Sequence, residues 1–161
     1  MAPEELFPLY AELALGLAGF VGVVSAFTGR DRVFLPTERV RFIGVVMASV
    51  VVLVGCFSFF AARASEIEPG TCLRIAGVGP LLIALTMMTV MMPESVRAAR
   101  DAESTTEPWS LALSFVVIAT NIVLYGAAVV TDASYGCLVL GFSIQILHGI
   151  WMFVRVLTRR N

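Results

Sequence analysis

Asn121, Gln145 and His148 are the side chains best able to do chemistry in a chain that is otherwise strongly apolar. Amides and an imidazole can pass hydrogen bonds along, hold a proton in transit or line a polar path. Their spacing is helical. Cys137, Gly141, Gln145, His148, Met152, Arg155 and Arg159 follow one another at three- and four-residue steps, so a helix gathers them into an arc of roughly 80°. The rest of that helix is Leu, Ile, Phe and Trp. A second stripe, Ser110, Ser114, Asn121 and Tyr125, falls within an arc of roughly 60° on the preceding apolar stretch. Only Asp132 to Ser134 separate the two stretches, which makes them antiparallel neighbours. Asn121, Gln145 and His148 then share one depth, and the two stripes can face each other. The pattern fits a mid-membrane relay or pore lining, and it equally fits hydrogen bonds that tie two helices together.

A single His rules out a multi-histidine metal site. The chain has no HExxH, GxSxG, phosphate-binding loop or CxxC pattern, so neither an enzyme nor a bound metal or cofactor is expected. Four methionines, Met87, Met88, Met91 and Met92, could bind a soft metal but serve more often as apolar filler. Glu12 and Arg74 each lie about one turn inside the same end of different helices, where an unpaired charge is costly, and the two are expected to pair. Glu12, Glu66, Glu68 and Asp132 would otherwise make that end an acidic mouth. Cys72 and Cys137 both open helices at that end and could form a disulfide, with Cys56 as a competing partner. At the opposite end Arg30, Arg32, Arg39 and Arg41 could contact anionic lipid headgroups, or simply set orientation.

The elements that must position these groups follow from composition. Of 161 residues, 58% are hydrophobic and 14% charged, with mean hydropathy +0.90. Soluble domains run at about 45–50% and about 25%, so a membrane protein is indicated. Five apolar stretches, at about residues 9–27, 40–62, 72–92, 110–131 and 135–157, are each long enough to cross a hydrocarbon core of about 30 Å. Trp109 marks an interface. All eleven basic residues are Arg. Nine of them (Arg30, Arg32, Arg39, Arg41, Arg97, Arg100, Arg155, Arg159 and Arg160) fall on one side of such a five-span chain, and only Arg63 and Arg74 on the other. The positive-inside bias then puts the N-terminus outside and the C-terminus in the cytoplasm. The expectation is an all-α, multi-pass protein of a bacterial inner membrane, a single five-helix domain over residues 1–161.

Ala14, Ala18, Gly22 and Ala26 recur every fourth residue of the first stretch, with Gly16 and Gly19 beside them, so this helix is expected at the centre of the bundle or at an oligomer interface. A bundle this small leaves little room for an aqueous path through one copy. The leading expectation is a homo-oligomeric channel with Asn121, Gln145, His148, Ser114 and Tyr125 at or near its lining. An accessory or scaffold subunit that binds another membrane protein or lipid is the alternative. A small-solute transporter hinged at Pro80 is weaker. The expected partners are the bilayer, further copies of the chain and possible unlike membrane subunits, with no nucleic acid.

Overall fold

A computed structural model describes residues 3–28, 36–93, 96–97, 108–132 and 134–158. The chain is all-helical. Its elements are α1 (Pro3–Thr28), α2 (Pro36–Ala64), α3 (Pro69–Thr86), α4 (Pro108–Val130) and α5 (Ser134–Thr158), with α3 continuing into one π-helical turn at Met87–Met91. Four of the five helices open on proline: Pro3, Pro36, Pro69 and Pro108. At that position the ring's fixed φ suits the helix, and its missing N–H has no intrahelical acceptor to lose. Each helix contains a stretch long and apolar enough to cross a membrane: Glu5–Val24, Phe42–Ala64, Pro69–Val90, Trp109–Val130 and Ser134–Arg155. These run to 20–23 residues, or about 30 Å or more at 1.5 Å per residue.

α2 ends in a tight backbone turn. Ile67 N–H donates to Ala62 O at 3.3 Å and Glu66 N–H to Arg63 O at 3.0 Å, with Glu66 itself at φ 58°. This is the helix-ending motif in which glycine normally takes the left-handed position. α3 runs through Pro80 as continuous helix, and the departure from α geometry comes later, in the π turn.

α2, α3, α4 and α5 form a closed ring in which each packs against the next and α5 returns to α2. α1 lies outside this ring, along α2 and the near edge of α5, and among the described residues it touches neither α3 nor α4. The small-residue ladder therefore does not make α1 the central helix; α2 has that place. The ladder is split between faces. Ala14 is buried against the ring, while Gly16, Gly19 and Gly22 are exposed, with nothing near the position a Cβ would take.

The core is built around aromatic rings. Phe7 reaches in from α1 and packs edge-on against Phe59 at 4.7 Å and Phe142 at 5.7 Å between ring centres. Tyr10 fixes α1 to α5: its hydroxyl lies 2.6 Å from Ser143 Oγ and donates to Val139 O at 3.2 Å. Glycines set the closest helix approaches. Gly55 of α2 faces Phe142 and Pro80, Gly79 of α3 faces Val54, and Gly149 of α5 faces Ala48 and Leu17. The outer surface is apolar, with Val130, Val123 and Leu147 each 65% exposed or more. A continuous belt of this kind is unfavourable against water and natural against acyl chains.

Candidate functional site

The two polar stripes face each other inside one chain. Ser110, Ser114, Asn121 and Tyr125 on α4 are all buried, as are Gly141, Gln145, His148 and Met152 on α5. Steps of four, seven and four residues along α4 keep them on one side of the helix. The short turn after Val130 folds α5 back along that side. Groups roughly equidistant from the turn then meet: Asn121 with Gln145, Ser114 with His148, and Tyr125 with Gly141.

At mid-helix Asn121 Nδ2 donates to Gln145 Oε1. Nearer the start of α4, Ser114 Oγ lies 3.2 Å from His148 Nε2 and 3.1 Å from Ser110 O. A hydroxyl has one hydrogen to give. With that hydrogen on the Ser110 carbonyl, Ser114 accepts from His148, and the imidazole carries its proton on Nε2. On the other side of Asn121, the ring of Tyr125 packs against Gly141 of α5. A Cβ on Gly141 would stand 2.6 Å from Tyr125 Cε1, so glycine is what lets the ring in. Two buried atoms of this seam have no hydrogen-bond partner among the described residues: Asn121 Oδ1 and the Tyr125 hydroxyl.

One end of the seam is closed by a cluster that the stripe analysis did not anticipate. The Arg155 guanidinium sits 4.4 Å from the ring centre of Trp109 and 5.6 Å from that of Trp151. The two indoles are 5.6 Å apart, and His148 stacks on Trp151 at 5.9 Å and 17°. Cation–π contacts of this kind contribute about 0.5–1 kcal/mol when exposed and more when desolvated. The signal was present in the sequence: Trp151 and Arg155 are one helical turn apart, and Trp109 lies as far before the turn as they lie after it.

The expected pairing of Glu12 with Arg74 is not what forms. Arg74 Nη2 donates to Asp132 Oδ1 at 3.0 Å. α3 borders α4 in the ring, which brings Arg74 to the turn after α4. Glu12 lies on the exposed side of α1, which does not reach α3. Both members of the observed pair are well exposed, at 49% and 101%, so it contributes about 1 kcal/mol or less. With Asp132 so engaged, Glu66 and Glu68 remain as exposed acids at that end.

The disulfide that the sequence allowed between Cys72 and Cys137 does not form: Cys56, Cys72 and Cys137 are free thiols. Cys72 is buried and donates to Ile67 O at 3.2 Å. α3 and α5 sit across the ring from each other with limited contact, although Cys72 and Cys137 border the same core cluster. Arg30 and Arg32 lie outside the described residues, as do the side chains of Arg39 and Arg41. Met87 is buried and opens the π turn, where Thr89 Oγ1 caps Leu85 O at 2.9 Å. Among the described residues, no group of three or more His, Cys, Asp or Glu side chains gathers where it could hold a metal ion.

No protein-family model, curated protein or solved structure matches this chain. What fold and site define is a class: a bundle of five helices, each apolar and long enough to cross a membrane, with a hydrogen-bonded polar seam enclosed between the last two.

Proposed function

We propose that this chain is a multi-pass integral membrane protein, N-terminus outside and C-terminus in the cytoplasm, that works as an accessory or scaffold subunit by associating sideways with another membrane protein. One observation carries the reading: Asn121 bonds to Gln145 and Ser114 to His148 within the same chain, so these residues act as a clasp between α4 and α5. Interhelical hydrogen bonds in membrane proteins average about 0.6 kcal/mol and reach about 1.7 kcal/mol, enough to fix the register of a helical hairpin. α1 supports the same reading. It is the peripheral helix, and Glu12, Gly16 and Gly19 all lie on its exposed side. The orientation rests on the arginine distribution in the sequence.

A homo-oligomeric channel lined by Asn121, Gln145 and His148 is the second reading. The observation in its favour is the pair of unpartnered atoms, Asn121 Oδ1 and the Tyr125 hydroxyl, in the same seam. The experiment that separates the two is reconstitution of the purified chain in liposomes, with Gln145→Leu as the comparison. The scaffold reading expects no ion flux from the chain alone and a complex with an unlike subunit that Gly19→Leu weakens. Flux from the chain alone that Gln145→Leu abolishes would establish the channel instead.

A further inference from the structure

We propose that the core of the four-helix ring binds one water molecule that bridges the Tyr125 hydroxyl and the Asn121 side-chain amide. Both groups are sealed from solvent, at 0% and 1% exposure, and each has a polar atom with no hydrogen-bond partner among the described residues. Such atoms are strongly unfavourable in an apolar interior, and native proteins pair nearly all of them, often through internal water. The two residues lie one helical turn apart on the same face of α4, a rise of about 6 Å. Helical side chains lean toward the N-terminal end of their helix, the direction in which Asn121 lies from Tyr125. Gly141 opens the space over α5 in which the Tyr125 ring lies.

The chemistry selects water over other occupants. Tyr125 offers a donor and an acceptor, and Asn121 offers Oδ1 as an acceptor, with one Nδ2 hydrogen given to Gln145. Turning the Asn121 amide over would exchange an unpartnered oxygen for an unpartnered NH₂, and water serves either, since it both donates and accepts. A divalent cation needs about six oxygen ligands, carboxylates among them, and among the described residues no group of three or more His, Cys, Asp or Glu gathers to hold one; Tyr125 shares its core cluster with Phe142, Leu138, Ala128 and the Cys56 thiol. The bound water extends the clasp from Gln145 through Asn121 to Tyr125. This holds whether the chain acts as a scaffold or as a channel.

The test is the sign of a stability change. Tyr125→Phe deletes one oxygen and keeps the ring. If the hydroxyl had no partner, its removal would raise the melting temperature in detergent. With a bridging water, removal strands Asn121 and lowers the melting temperature by a few degrees. In an Asn121→Leu background the same substitution is then neutral or stabilising, because the bridge is already gone. A high-resolution structure of the unsubstituted protein should show a solvent peak within hydrogen-bond distance of both groups. Stabilisation by Tyr125→Phe alone overturns the proposal, as does an equal effect in both backgrounds. So does coupling without a solvent peak, which would mean a direct Tyr125–Asn121 bond. Should Asn121→Leu fail to fold, the sign for Tyr125→Phe and the solvent peak still decide.

Discussion

Replacing Gly55 with Ala tests the packing at the heart of the ring. A Cβ there would overlap Phe142 Cζ and stand 2.9 Å from Phe142 Cε1 and 3.1 Å from Pro80 Cγ. Neither neighbour can yield easily. Pro80 has a rigid ring in a buried stretch of α3, and Phe142 is fully buried between Phe7, Tyr10 and Tyr125 at 5.7, 5.8 and 6.0 Å. Forcing one extra methyl group into a packed core costs about 1–3 kcal/mol. Against this, Gly to Ala gains up to about 1 kcal/mol of helix propensity. Gly126→Ala isolates the two effects, because Gly126 is also mid-helix but has nothing within 4 Å of a Cβ. The propensity gain is common to both variants, so the difference between them is the steric cost. For a chain of this length it corresponds to a difference in melting temperature of roughly 2–12 °C. Thermal melts followed by circular dichroism in one detergent give the readout. Gly55→Ala melting at or above Gly126→Ala would refute the close approach of α2 to α3 and α5. Adding Phe142→Leu to Gly55→Ala should recover part of the loss.

Two further outcomes follow from local geometry. Glu66→Gly should raise stability by about 1 kcal/mol, since Glu66 holds φ 58° at the end of α2, and the left-handed region costs a non-glycine residue about 1–2 kcal/mol; parallel melts of the variant and the parent measure it. The three free thiols predict an intact mass that does not change on reduction, and maleimide labelling of the folded protein that reaches half-buried Cys137 before buried Cys56 and Cys72.

The number and order of helices were legible because apolar runs of membrane-spanning length leave little ambiguity. Their ends were less so. Hydropathy marked a first span at about residues 9–27, whereas α1 begins at Pro3. Hydropathy registers the apolar part of a helix, and helices continue into their polar ends, where proline starts them. The place of α1 was not legible at all. Small residues permit close approach by any helix, and nothing in Ala14, Gly16 or Gly19 says whether the approaching helix belongs to the same chain. The structure divides them, with Ala14 turned to the ring and the glycines turned away.

The contrast between the polar seam and the charged pair shows what a sequence can place in a helical bundle. Position along a span gives depth, and depth matched Arg74 to Glu12 although Asp132 stands at the same end and is the partner Arg74 takes. Choosing between them requires the order of helices around the bundle, which depends on packing among all five and which no local pattern encodes. Where a short turn joins two helices, adjacency comes with the sequence, and depth then suffices. Asn121 with Gln145 and Ser114 with His148 satisfy both conditions. Arg74 with Glu12, and Cys72 with Cys137, satisfied only the first. The same reasoning reaches the Trp109, Trp151 and Arg155 cluster, which lies at the far end of the same hairpin and obeys the same equidistance from the turn. A hairpin clasped at its middle by amides and at its open end by a guanidinium against two neighbouring indoles is held along most of its length. For α4 and α5 to part and expose the seam, both clasps would have to open together, which is the physical argument for treating the seam as the fixed frame of the protein.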